Sequence, residues 1–251
     1  MANLQDNKIR MDELVKHIRS REGLVLHFYC DGNGYVTLGY GYLVDGKNLV
    51  DSAGQVKAKE VAMKVRFQVG AGGPAATPQQ VAEDWLRVKE HFRRTRSGSA
   101  KDYAAVARLR ITTDSAVGLK AADIARRIRT LHDKRPVTRQ VDESIQMALI
   151  DAGYNPAGVS LFRDKSSGKS NDSFHPGIPK MFDALNRNSP NFNLFTALEL
   201  FKSIWAGRGG KYKDRYAERH AIRVEWFRRG VDRMVSSRLA TSPGKTILAA
   251  G

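Results

Sequence analysis

The stretch Arg21-Glu22-Gly23-Leu24-Val25-Leu26-His27-Phe28-Tyr29-Cys30-Asp31-Gly32-Asn33-Gly34-Tyr35-Val36-Thr37-Leu38-Gly39-Tyr40-Gly41 decides how the chain is read. Leu24, Leu26 and Phe28 alternate with Val25, His27 and Tyr29, the pattern of a strand, and Asp31-Gly32-Asn33-Gly34 is built from residues that favour tight turns. Tyr35-Val36-Thr37-Leu38 then returns as a second β-prone run. Just before this hairpin, Met11, Leu14, Val15 and Ile18 recur at helical spacing, and Gly23 ends that helix one residue after Glu22. The pattern predicts a helix that delivers Glu22 to the hairpin, whose turn carries Asp31 and whose returning strand carries Thr37.

Working outward, the signals become helical after Tyr42. Residues 43–75 are mixed, and Gly70-Ala71-Gly72-Gly73-Pro74 reads as a loop. Thr77-Pro78 reads as the N-cap and first-turn proline of a helix running to about Arg94, broken at Arg96-Ser97-Gly98-Ser99. Val117, Ala121, Ile124, Ile128 and Leu131 form the next stripe, with Arg126, Arg127 and Arg129 on the other face and Pro136 as its stop. Residues 141–154 are apolar on most sides and predict a buried central helix ended by Asn155-Pro156. A Ser/Gly/Lys-rich connection over 157–177 precedes three more helical patterns, around Met181, Phe182 and Leu185, then Leu194 to Trp205, then Ala217 to Phe227, with a fraying tail from Thr241. The expected fold is α+β, mostly α: one domain over 1–240. Within it, a small helix-plus-hairpin lobe covers about 11–75, a basic helical extension about 76–139 and a helical lobe about 140–240. A substrate cleft is expected between the lobes.

The 251 residues carry 42 Lys plus Arg against 26 Asp plus Glu, a formal charge of +16. The excess sits in two blocks, 15 basic against 5 acidic side chains over 87–139 and 12 against 4 over 201–251, whereas residues 1–86 balance at 10 and 10. Such blocks attract polyanions, so nucleic acid, anionic membrane and anionic wall polymer are all candidates beside the plain reading of solvated helix faces. The single cysteine, Cys30, excludes an internal disulfide, and six scattered histidines give no metal-ligand spacing, so neither metal nor cofactor is expected. The first twenty residues mix charges throughout and hold no apolar run of the length that a signal peptide or a membrane span requires. The chain is expected to be a monomer made in the cytoplasm without a signal peptide, and not to insert stably in a membrane.

Two carboxylates and a hydroxyl brought together by a helix and a hairpin are the parts of glycosidic bond hydrolysis: one carboxyl donates a proton and the other holds a water. Taken one by one the residues have simpler roles, since Asp31 suits a turn, Thr37 suits a strand and Glu22 suits a helix end.

The quoted stretch closely resembles the active-site region of phage-type lysozymes, the muramidases of the phage endolysin family, in which a Glu, an Asp and a Thr occur at the same intervals of nine and six. The resemblance implies a lysozyme-like two-lobe fold and carries catalytic roles onto Glu22, Asp31 and Thr37: Glu22 as general acid, Asp31 and Thr37 positioning the water. It also implies the activity, cleavage of the β-1,4 bond between N-acetylmuramic acid and N-acetylglucosamine in bacterial peptidoglycan, with cell lysis as the result. Gln146 to Asn155 resembles the family's central helix, and Glu218-Arg219-His220 a later family segment, which implies substrate-binding roles for Asn155 and Arg219. The enzyme would act in the periplasm or on the wall of a host or target cell. It would work beside a holin if phage-borne, or require an immunity protein if it is an injected antibacterial effector.

The chain also departs from the family. Tyr42 stands where many relatives have a histidine, Pro156 follows Asn155, and Tyr154 lies 117 positions after Thr37, some tens more than in compact members. Two other readings stay open: a non-hydrolytic lytic transglycosylase, which needs the glutamate but no held water, and a nucleic-acid-binding protein using the basic blocks. The second lacks a zinc-finger, RNP or glycine-loop signature, and nucleic acid is not the expected partner.

Overall fold

In a computed structural model, residues 4–44, 60, 65–154, 175–206 and 213–241 are described. Helix α1 spans Lys8–Arg21 and leads into β1, Val25–Cys30, which pairs antiparallel with β2, Val36–Gly39. The register puts Tyr29 opposite Thr37 and Cys30 opposite Val36. Because side chains alternate across a strand, Phe28, Cys30, Val36 and Leu38 share the buried face, and all four are fully enclosed. A short third strand, β3 at Tyr42–Leu43, adds to β2, so the hairpin is a three-stranded sheet. A second antiparallel pair, β4 at Gln68–Val69 with β5 at Leu109–Arg110, was not expected from the sequence.

Helix α2, Pro78–Thr95, begins as anticipated at Thr77-Pro78. The Thr77 hydroxyl accepts from the Gln80 N–H at 3.3 Å while the Thr77 N–H donates to the Gln80 amide oxygen at 2.8 Å, a reciprocal capping box. Arg96 takes a left-handed conformation, φ 55°, and ends the helix. Val81, Trp85 and Val88 of α2 lie in the same core as Phe28, Cys30, Val36 and Leu38. Of the stretch 76–139, the part that carries Val81, Trp85, Val88, Tyr103 and Leu109 shares the hairpin's core. Asp84 explains part of this. Its buried carboxylate accepts the Arg108 and Leu109 N–H groups at 2.8 and 3.0 Å and pairs with Arg87, which fastens β5 to α2.

The chain divides into two compact units, Val15–Ile124 and Met1–Leu14 with Ala125–Gly251. The division falls within α1 and within α3, Thr113–Lys134. The second unit holds α4 (Glu143–Tyr154), α5 (Gly177–Leu185), α6 (Leu194–Trp205) and α7 (Lys213–Thr241). α4 is the expected buried helix: Ile145, Met147, Ala148, Leu149, Ile150 and Ala152 are all enclosed. It packs closely on α7 at Gly230, where a Cβ would stand 2.6 Å from Ile145 Cγ1. Most of the connection expected over 157–177, and the tail after Thr241, lie outside the described residues. The described fold is mostly helical with small antiparallel sheets, and among the described residues no helix is long and apolar enough to cross a membrane.

Three histidines carry a pH dependence. Burial holds the imidazoles of His27, His132 and His220 below their usual value of 6.5. The unfolded chain therefore takes up these protons first as pH falls, and folding stability is full above about 6.5 and declines below it. His132, which shares a buried 3.1 Å hydrogen bond with the Gln146 side chain, should contribute most plainly. Thermal unfolding followed from about pH 7 to 5 should show a falling Tm, shallower in His132→Gln. A flat profile in the wild type would contradict this assignment.

Candidate functional site

The unit Val15–Ile124 contains Glu22, Asp31 and Thr37. Glu22 directly follows α1, its N–H bonded to the Ile18 carbonyl at 3.1 Å. Two contacts bring this helix end to the β2–β3 turn. The Arg19 guanidinium lies 4.9 Å from the centre of the Tyr40 ring and donates to its hydroxyl at 3.2 Å. At Gly41, φ 71°, a Cβ would stand 3.6 Å from Glu22 Oε2, so the glycine turn runs directly beside the carboxylate.

Asp31 opens the β1–β2 turn. Its Oδ1 accepts the Asn33 and Tyr35 N–H groups at 2.8 and 3.0 Å, and its own N–H donates to the Tyr35 carbonyl at 2.9 Å. These bonds fix the side chain to the turn backbone, as aspartate does in Asx-type turns. Thr37 is 6% exposed and donates its hydroxyl proton to the Tyr35 carbonyl at 3.2 Å.

One residue near both carboxylates, Tyr29, was not among those expected from the sequence. Tyr29 stands opposite Thr37 across the strands and packs, partly buried, against the hairpin core. Burial, with the Glu22 and Asp31 carboxylates nearby, pushes its phenol up to about 12. Both carboxylates thus act on one hydroxyl, which remains a neutral proton donor at any ordinary pH. Sequence spacing alone does not single out Tyr29; the hairpin register, which sets it opposite Thr37, does. Cys30, adjacent in sequence, faces the other way into the core, with its thiol against the Val88 carbonyl at 3.8 Å.

The two substrate-binding assignments fare differently. Asn155 lies outside the described residues. Arg219 belongs to the other compact unit and is 5% exposed. Its guanidinium grips Asp151, with Nη2 to Oδ1 at 2.6 Å and Nε to Oδ2 at 3.0 Å. Arg223 completes the cluster, its Nε 2.6 Å from Asp151 Oδ2. Arg219 thus holds α7 to α4, with its guanidinium engaged by the Asp151 carboxylate. The sequence missed this because an arginine's burial depends on its partner, and Asp151 is 68 residues away. Among the described residues no cluster of His, Cys, Asp or Glu could hold a metal ion.

Compared with protein-family models and with curated proteins, the chain finds no match.

Proposed function

We propose that the chain is a peptidoglycan hydrolase, an N-acetylmuramidase of lysozyme-like fold that cuts the β-1,4 bond between N-acetylmuramic acid and N-acetylglucosamine. One observation carries the reading: a single hairpin unit holds Glu22 beside a glycine turn, Asp31 fixed by two backbone N–H groups and Thr37 on the returning strand, with the Tyr29 phenol acted on by both carboxylates. Glu22 gives its proton to the glycosidic oxygen as the bond from that oxygen to the anomeric carbon breaks. Asp31, through the oxygen not occupied by the turn, and Thr37, through its lone pairs, hold a water that bonds to the anomeric carbon from the opposite face; Asp31 takes the water's proton. A held water favours hydrolysis over transglycosylation.

The anionic wall is the polyanion this reading assigns to the basic blocks. Arg126 and Arg129 of α3 are exposed and suit that role. Much of the C-terminal block is spent internally, since Arg219 and Arg223 bind Asp151, Arg228 and Arg229 bind Glu225, and Arg233 binds Asp142. Action on the wall from within a cell envelope would call for a holin partner in a phage setting or an immunity protein in an effector setting.

Release of dye from labelled, insoluble peptidoglycan tests the site. Asp31→Asn should lose about 10²-fold or more in rate because it can no longer take the water's proton. Cys30→Ser should stay active, since Cys30 packs in the core on the opposite strand face. Equal loss in both variants would show that the turn's packing, and not the Asp31 carboxylate, is being measured.

A further inference from the structure

The Asp31 turn is the tip of a short hairpin, and a carboxylate there needs outside support to keep the sub-ångström placement that a catalytic constellation demands. The middle of the chain supplies it from three directions. Lys89 of α2 donates its ammonium to the Gly34 carbonyl at 2.6 Å, while its stem passes the Trp85 ring, Nζ 5.1 Å from the ring centre. Phe92, one turn further along α2, closes on Gly34: a Cβ there would stand 2.6 Å from the Phe92 ring, and the Gly34 φ of 80° also favours glycine. The loop after α2 covers the other end of the turn. A Cβ at Gly98 would stand 2.8 Å from the Gly32 nitrogen and 3.3 Å from the Asp31 carbonyl carbon.

That loop is itself braced. The Tyr103 phenol donates to the Ser97 carbonyl at 2.6 Å, and the Ser97 hydroxyl bonds to Asp102. His27 of β1 reaches the Ala100 carbonyl at 3.0 Å and ties the loop back to the strand that ends in Asp31. Gly34 also donates its own N–H to the Asp31 carbonyl at 2.9 Å, so a restraint on Gly34 acts on the closed loop of bonds that orients the Asp31 side chain.

We propose that α2 and the loop that follows it form a clamp on the Asp31 turn, with Lys89 and Gly98 as positioning residues that hold the Asp31 carboxylate in its working orientation. The claim that the clamp tunes catalysis rests on the muramidase reading; the clamp itself does not. It gives the additional middle sequence a task at the site, beyond carrying charge.

The test combines amide hydrogen exchange with kinetics on soluble glycan-strand fragments, using Lys89→Met, Lys89→Arg and Gly98→Ala. Loss of a charged hydrogen bond should speed exchange at Asn33 and Tyr35 about tenfold in Lys89→Met, with kcat down by a similar factor and KM unchanged. Lys89→Arg, which keeps a cation for the Gly34 carbonyl, should recover most of both. Gly98→Ala should reproduce the exchange effect with Lys89 in place. Unchanged exchange in both Lys89→Met and Gly98→Ala would overturn the clamp. Faster exchange with kcat intact would overturn the positioning role. If the wild type cuts no glycan, the muramidase reading fails and the exchange result alone decides whether the clamp exists.

Discussion

Glu22→Gln is expected to remove glycan cleavage while leaving the fold intact. Glutamine keeps the shape and polarity of glutamate but has no carboxyl proton, and proton donation to a leaving group is typically worth about 10²–10⁴ in rate. Glu22 follows the last turn of α1, anchored through its backbone N–H to Ile18, and the helix end is held by Arg19 on Tyr40. Tm should therefore stay within a degree or two of wild type, about the spread of surface substitutions. Turbidity clearance near the wild-type rate would remove Glu22 as the acid.

The second large effect is on stability. Asp151→Ala leaves Arg219 and Arg223 buried with no carboxylate between them, and breaking one partner of a buried ion cluster costs about 3–5 kcal/mol. Asp151 and Arg223 are both 0% exposed, so water cannot readily replace the lost oxygens. Arg223 also donates to the Asp151 backbone carbonyl at 2.9 Å, a bond that survives the substitution and keeps the helices near their native packing. Urea unfolding should show the loss as a lower midpoint. Arg219→Met separates the two roles considered for that residue: as a structural cation its loss lowers the midpoint and leaves any KM for glycan alone, whereas a ligand-binding arginine would raise KM and spare stability. A raised KM with an unshifted midpoint would mark Arg219 as a substrate contact.

What could be read from the sequence was what depends on near neighbours. The hairpin, its turn, the cap at Thr77-Pro78 and the buried helix before Asn155 each follow from residues a few places apart. The pair Gln68–Val69 with Leu109–Arg110 could not be seen, because two-residue strands have no periodicity and exist only through pairing across some 40 residues of chain. The same limit applied to charge. Lys89, Asp84 and Arg219 look alike in a list of charged residues, yet one holds a turn carbonyl, one pins a strand and one is buried against an aspartate. Of the candidate site, Glu22, Asp31 and Thr37 were legible through spacing and resemblance. Tyr29 needed the strand register, and the clamp from α2 needed the fold.

The most direct measurement is the chemistry of the cut. Purified peptidoglycan digested with the wild-type protein, reduced with borohydride and resolved by mass spectrometry should yield muropeptides ending in reduced N-acetylmuramic acid, absent from a Glu22→Gln digest. Anhydro-muramic ends, reduced N-acetylglucosamine ends, or no cleavage by the wild type would contradict the muramidase assignment.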